Sequence, residues 1–251
     1  MWSGALGEAG EMKIGVILPT FRDTADEALR VAEEAEAYGI DGVFCYDHLW
    51  PMGNPERPAL APFPILAAIS LRHPRLFLGP LVARIGLVEN NVLISQFAAL
   101  EALSPGRVIA ALGTGDKLSK AENDAYGIDF ASPDERREAL VHCISHLKDI
   151  VSTLWVGGGA NATMKLAEEQ RVAVNMWGAT PEALAQQATR TEVTWAGILP
   201  QSDNQAEEHS NIRSHLTQVN EAGATWAVVG WPVPLELLGA LARDERESPV
   251  G

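Results

Sequence analysis

The chain has 251 residues, of which 47% are hydrophobic and 21% are charged, close to the average of globular proteins and far from disordered or fibrous sequences. Lysine and arginine number 19 against 33 aspartates and glutamates, and the formal charge of -14 argues against nucleic acid or an anionic membrane as a partner, because both attract clustered cations. Two cysteines are too few for a disulfide framework or a cysteine-based zinc site, so we expect a cytoplasmic protein without a metal.

The chain begins with a pattern that repeats along its length, a short apolar run followed by a helix. Residues 1–11 are small and polar, and we predict that they form a disordered leader. Residues 12–19 are a first strand closed by proline, as expected of a buried parallel strand. The helix after it is predicted to be capped by Asp23 or Thr24 and to end at Gly39.

The same alternation continues to the C-terminus, with further helix caps predicted at Asn90 or Asn91, Ser132 and Thr180. The predicted strands are 12–19, 42–48, 76–83, 107–116, 154–159, 172–177, 193–200 and 226–231. The predicted helices are 28–38, 63–72, 90–103, 132–151, 163–170, 181–189, 206–222 and 234–243. The polar stretch 121–130 is predicted to be irregular.

Strict alternation of strands and helices implies a parallel sheet, and eight such pairs predict a single (β/α)8 TIM barrel over residues 12–245, followed by a tail at 246–251. Two stretches depart from the simple pattern. Residues 51–62 contain four prolines and form a long loop, a candidate lid or substrate loop. Gly79 and Pro80 interrupt the third strand and predict a local distortion, because proline cannot donate to a central ladder.

Three strand ends carry groups suited to chemistry, and barrel enzymes place their chemistry at these ends. His48 suits proton transfer, and Asp47 beside it can raise its basicity, although adjacent strand residues face opposite sides and one of the two could be structural. Gly113-Thr114-Gly115-Asp116 lacks the third glycine of a dinucleotide fingerprint and is either a plain turn or a carboxylate-presenting one. Gly157-Gly158-Gly159 precedes a helix and is either a phosphate cradle or a flexible turn.

Several short motifs follow one another in a fixed order. They are Met12 to Pro19, Ala35-Glu-Ala-Tyr38-Gly39 before Gly42-Val-Phe, Asp47-His48-Leu49, Gly79-Pro80-Leu81-Val82, Leu103 to Val108, Gly113 to Asp116, Ala121-Glu122-Asn123 with Tyr126-Gly127, and Leu154 to Gly158. Together they resemble the bacterial luciferase-like superfamily, and within it the oxidoreductases that use the deazaflavin coenzyme F420.

The resemblance implies a barrel with a flavin or deazaflavin in its mouth, a small-molecule substrate and a homodimer. It assigns proton transfer to His48 and Asp116. The residues that it assigns to cofactor binding are Asp47, Leu81, Val82, Ala83, Thr114, Gly157, Gly158 and Gly159. The segment Leu81-Val82-Ala83 would form a bulge with a nonprolyl cis peptide behind the ring.

Three functions are compatible with these observations. The leading hypothesis is hydride transfer between coenzyme F420 and a small organic substrate, with His48 and Asp116 managing protons. The second is an FMN-dependent monooxygenase. The third is a truncated, noncatalytic flavin-binding protein, because the half after Gly159 is shorter than in similar proteins and lacks the usual insertion beside the substrate.

Overall fold

The computed structural model of the chain describes residues 12–51, 53–115 and 118–247. The predicted leader, Asp116 and residues 248–251 lie outside this range, so the division into leader, barrel and tail stays a prediction. Among the helices of the described residues, none has both the length and the apolar character needed to cross a membrane.

All strands pair in parallel and form one sheet in the order β3-β2-β1-β9-β8-β7-β6-β5-β4. The strands are β1 (Lys13–Ile17), β2 (Gly42–Cys45), β3 (Phe77–Pro80), β4 (Ala83–Arg84), β5 (Ile109–Gly113), β6 (Thr153–Gly157), β7 (Ala173–Trp177), β8 (Val193–Gly197) and β9 (Ala224–Gly230). A bridge between Leu78 and Val108 closes the sheet between β3 and the start of β5. The predicted TIM barrel is therefore confirmed, with β3 and β4 as two halves of its third strand.

Helices connect the strands around the outside of the barrel. They are α1 (Asp26–Tyr38), α2 (Pro62–Arg72), α3 (Asn90–Leu103), α4 (Ser119–Ala125), α5 (Pro133–Leu147), α6 (Asn161–Gln170), α7 (Pro181–Ala188), α8 (Gln205–Glu221) and α9 (Leu235–Glu247). Eight of them match predicted helices. The prediction of an irregular stretch at 121–130 was wrong in its first part, since α4 occupies Ser119–Ala125.

The helix ends confirm the predicted caps at two places and contradict them at two others. Ser132 caps α5 in a reciprocal capping box with Glu135, and the Thr180 hydroxyl accepts from the N–H of Ala183. Helices α1 and α3 begin after Ala25 and Glu89, and neither has a side-chain cap. Asp23, Thr24, Asn90 and Asn91 are thus not the caps that we predicted; the Thr24 hydroxyl instead donates to the carboxylate of Asp26 at 3.1 Å.

The third strand breaks where glycine and proline predicted a distortion. A side chain at Gly79 would overlap the carbonyl oxygen of Ile109, so only glycine lets β3 approach β5 this closely. The nonprolyl cis peptide lies between Leu81 and Val82, within the predicted segment. The Val82 side chain then fills the space that side chains at Gly113 and Gly157 would need.

Three aromatic rings fill the centre of the barrel. Phe44 lies 5.6 Å from Trp155 and 5.9 Å from Trp226, and the two indoles are 5.7 Å apart, all measured between ring centroids. Phe44 and Trp155 are almost inaccessible to solvent. Such contacts add to the large hydrophobic gain of burying aromatic rings. This aromatic triad therefore stabilises the barrel from within.

We expect Trp155→Ala to lower the free energy of unfolding by about 3–5 kcal/mol, because it leaves a cavity between two rings that cannot collapse onto each other. Ile198→Ala is the control, since the Ile198 side chain is 58% exposed and its loss should change stability by less than about 0.5 kcal/mol. Urea unfolding followed by circular dichroism measures both. Equal effects of the two substitutions would contradict the role of the triad.

Candidate active site

A cavity of about 620 Å³ opens at the C-terminal ends of the strands. Its wall is formed by residues that follow β2, β5, β6 and β7 and by the break between β3 and β4. The lining residues that the sequence predicted are Asp47, His48, Leu81, Val82, Thr114, Gly157, Gly158 and Gly159. Segments more than 100 residues apart in the chain thus meet at one mouth.

Two predicted site residues do not join this wall. Ala83 is fully buried and packs in the layer between the barrel and its helices, where it pairs with Leu112 of β5. Ala83 is not among the residues that line the cavity, and its contact with a cofactor stays a prediction. Asp116 lies outside the described residues, and its role stays a prediction.

Asp47 is engaged with the backbone of the broken strand. Its carboxylate accepts a hydrogen bond of 2.8 Å from the N–H of Arg84, at the end of β4. Burial raises the pKa of Asp47 above its ordinary value, although this hydrogen bond and the nearby Arg84 charge act in the opposite direction. Asp47 therefore stabilises the position of β4 from within the cavity wall.

His48 is held by a carboxylate that sequence reasoning did not assign to the site. Its Nδ1 lies 2.8 Å from Oε1 of Glu122, and the N–H of Leu49 donates to Oε2 of the same carboxylate at 3.1 Å. Glu122 is only 2% exposed, whereas His48 is 25% exposed. In the neutral ring, Nδ1 donates to the Glu122 carboxylate and Nε2 is the acceptor. The neutral ring then presents a proton-accepting nitrogen in the cavity wall.

Arg84 neutralises that buried carboxylate. Its guanidinium lies 3.0 Å from Oε2 of Glu122 and donates to the side-chain oxygen of Asn123 at 3.1 Å. Arg84 is 4% exposed, so both charges of the pair are removed from water. The Asn123 amide in turn donates to the carbonyl oxygen of Gly86 at 3.1 Å. The pair and its hydrogen bonds fix α4 against the end of the third strand.

The sequence contained weak signals for these residues. Ala121-Glu122-Asn123 belongs to the motifs that carry the family resemblance, and Arg84 follows directly after an apolar strand. Neither signal specifies a partner, because the carboxylate and the guanidinium come from separate elements. Only the folded arrangement shows that Glu122 holds His48.

The glycine run has a packing role at its first residue. Gly157 lacks a side chain because Val82 occupies the space, and the N–H of Gly158 already donates to the carbonyl oxygen of Asn175 at 3.2 Å. Gly159 has open space around its Cα, and α6 begins two residues later with no side-chain cap at Ala160. The backbone N–H groups at the start of α6 are therefore the better donors for a phosphate.

Aromatic side chains form the rim of the cavity. The Tyr46 ring lies 6.1 Å from that of Trp177 and 6.5 Å from that of His48. Trp177 is 51% exposed at the end of β7, and burial raises the pKa of Tyr46 to about 12. Tyr46 therefore stays a neutral phenol at physiological pH, available as a hydrogen-bond donor beside His48.

A second cavity, of about 640 Å³, lies at the opposite end of the barrel, where the strands begin. Its wall includes Lys13, Phe77 and Trp226, at or near the starts of β1, β3 and β9. None of the polar groups that interact around His48 lines it. The upper cavity is thus the candidate active site.

Comparison with known proteins shows the family of the chain. Residues 12–152 match the model of the family described as luciferase-like monooxygenase. An F420-dependent glucose-6-phosphate dehydrogenase of Microbacterium testaceum is 29% identical over 189 residues, which are 70% of this chain and 54% of that protein. The protein of the same name from Nakamurella multipartita is 31% identical over 132 residues, which are 52% of this chain and 37% of that protein. The chain thus spans about half or less of the length of these relatives.

A similar solved structure is described as an F420-dependent secondary alcohol dehydrogenase in complex with an F420-acetone adduct. It superposes with a TM-score of 0.74 at 15% identity and covers 92% of this chain and 98% of that one. At this identity, the similarity shows a shared fold.

We expect Glu122→Ala to destabilise the protein by about 3–5 kcal/mol, because it leaves the Arg84 guanidinium buried without its carboxylate. Asp124→Asn, on the same helix, is the matched control. It removes an exposed pair with Lys120 and should cost less than about 1 kcal/mol. Urea unfolding compares the two variants, and a similar loss in both would contradict a buried structural pair.

The raised pKa of Asp47 has a consequence for stability. A carboxyl group whose pKa is higher in the folded state than in the unfolded state costs stability as the pH rises past its ordinary range. We therefore expect the free energy of unfolding of Asp47→Asn, relative to that of the wild type, to increase as the pH rises from about 4 to about 7. Unfolding free energies of both proteins at several pH values measure this difference, and a constant difference would show that the pKa is not raised.

Proposed function

Because the chain belongs to the luciferase-like monooxygenase family, we propose that it is an oxidoreductase that transfers a hydride between coenzyme F420 and a small organic substrate. The single observation that carries this proposal is the fixed imidazole at the cavity wall, His48 held by Glu122 at 2.8 Å. Relatives named as F420-dependent dehydrogenases support the choice of cofactor.

The cavity fits such a cofactor. Its volume of about 620 Å³ lies within the usual range for small-molecule and cofactor sites. Leu81 and Val82 present apolar side chains on one wall, where a planar ring can stack. The start of α6 beside Gly159 offers backbone N–H groups for a phosphate. Leu81, Val82, Thr114 and the Gly157–Gly159 run would hold the cofactor, while Asp47 supports the wall behind it.

When bound, coenzyme F420 supplies the carbon that gives or takes the hydride. The protein's part is to manage the accompanying proton. His48 Nε2 accepts the hydroxyl proton of an alcohol substrate during oxidation and returns it during reduction. Glu122 keeps Nδ1 protonated and stabilises the imidazolium that forms, as the carboxylate of a catalytic triad does. Asp116 is proposed to assist this proton transfer.

The second candidate is an FMN-dependent monooxygenase, which the description of the matching family favours. The same cavity would hold FMN, with its phosphate at the start of α6. Oxygen uptake with reduced FMN distinguishes the two functions, because reduced F420 reacts poorly with oxygen.

We further propose a cytoplasmic homodimer. Both cysteines, Cys45 and Cys143, are free and buried, which suits a reducing compartment. Leu71 of α2 and Val92 and Leu103 of α3 are large apolar side chains left exposed on neighbouring helices, where a second copy would cover them. Light scattering at several concentrations tests the dimer.

Titration of the purified protein with F420, followed by absorbance and by retention on gel filtration, tests the cofactor proposal directly. We expect saturable binding, and then F420 reduction with a suitable alcohol. His48→Gln should bind F420 normally but lower kcat by about 100- to 10,000-fold, the usual contribution of general base catalysis.

His146→Gln provides the control, because His146 lies exposed on the outer helix α5. It should match the wild type in both binding and turnover. Absence of F420 binding would reject the cofactor. A His48→Gln variant with full turnover would reject the proposed role of the imidazole.

A further inference from the structure

A smaller cavity of about 460 Å³ adjoins the candidate active site. It lies at the C-terminal ends of β1 and β9 and reaches the proline-rich loop at 51–62. Its lining includes Phe21, Arg22, Glu27, Arg57 and Trp231. The function proposed above makes no use of it, although it opens at the same end of the barrel.

Two guanidinium groups are held close together there. Arg22 and Arg57 each donate to the carbonyl oxygen of Phe21, at 3.0 Å in both cases. Glu27 accepts from Nε of Arg22 at 2.8 Å and from the Trp231 indole at 3.3 Å. The ion pairs found among the described residues give Arg22 this one carboxylate and give Arg57 none. The cavity thus carries a net positive charge in a protein whose formal charge is -14.

This charge lies next to the proposed reaction centre. Phe21 and Tyr46 line both cavities, and their rings stack at 5.2 Å with an angle of 8° between their planes. Tyr46 also contacts His48, with 6.5 Å between the ring centroids. Phe21 and Tyr46 thus form the boundary that the two cavities share. A substrate that extended across this boundary would have the arginines on one side and the imidazole on the other.

The positive charge of Arg22 and Arg57 lies away from the start of α6, the proposed site for the cofactor's phosphate. Counting β3 and β4 as one strand, β6 is four places from β1 in either direction around the barrel. Gly159 and the start of α6 follow β6, whereas Arg22 follows β1. The arginines consequently stand across the mouth from the start of α6, which would hold the cofactor's phosphate.

We propose that Arg57, assisted by Arg22, binds an oxyanion of the substrate, so that the substrate class is a small hydroxy or oxo compound bearing a carboxylate or a phosphate. A guanidinium group matches the geometry of either anion with two parallel N–H donors. The loop at 51–62 then acts as the substrate loop because it carries Arg57. The identification of the anion as part of the substrate rests on the proposed function. Binding of an anion at this site does not depend on F420.

Calorimetric titration of the 251-residue chain without cofactor, at constant ionic strength, tests the site with two matched pairs of probes. Lactate is compared with 1,2-propanediol, and glycerol phosphate with glycerol. We expect at least one anion to bind at least tenfold more tightly than its neutral partner. The pair that shows the preference distinguishes a carboxylate site from a phosphate site.

Variants of the arginines locate the binding. Arg57→Gln should weaken binding of the preferred anion at least tenfold, and Arg57→Lys should weaken it less, because it keeps the charge and loses the paired donors. Arg72→Gln removes an equal charge from the exposed end of α2 and should leave the affinity within twofold of the wild type. Arg57 is exposed, so unchanged thermal unfolding of its variants should show that they fold normally.

The outcomes separate this inference from the proposed function. Three results would overturn the anion site. They are the absence of saturable binding, equal affinity for the anion and its neutral probe, and equal losses of affinity in Arg57→Gln and Arg72→Gln. Binding that depends on Arg57 in a protein that does not bind F420 would retain the site and reject the function. Turnover of neutral alcohols that is unaffected by Arg57→Gln would retain the function and reject the proposed substrate class.

Discussion

The candidate site depends on one buried ion pair, between Arg84 and Glu122. The two residues come from the broken third strand and from α4, and each is 4% exposed or less. A buried charge without its partner is very costly, so neither element can move away from the other at a small cost. The pair in turn determines the orientation of His48, since Glu122 holds its Nδ1, and the Arg84 backbone holds Asp47. The Arg84–Glu122 pair therefore determines both the orientation of the His48 imidazole and the position of the cavity wall.

The barrel could be predicted from the sequence because parallel strands buried on both faces are continuous apolar runs. β5 is such a run, and every residue in it is buried. The glycine and proline in the third strand correctly indicated its break. The residues Ser132 and Thr180 could be identified as caps because each precedes a proline at the first position of a helix.

The contacts between His48, Glu122 and Arg84 could not be predicted in the same way. The buried residues of α4 are polar, namely Ser119, Glu122 and Asn123, so the helix has no apolar periodicity to detect. Their burial is stabilised by Arg84, which lies more than 30 residues away in the chain. From the sequence alone, Glu122 is expected to be exposed to solvent, because the cation that neutralises it is distant in the chain. Gly157 is a related case, since its small size is explained by Val82 and not by a ligand.

The aromatic triad belongs to the lower half of the barrel, since Trp155 and Trp226 line the lower cavity and no residue of the triad lines the upper one. The two cavities have no lining residue in common. Packing of large rings thus stabilises one end of the barrel, while the groups suited to chemistry lie at the other end. Substitutions can consequently change stability and ligand-facing groups separately.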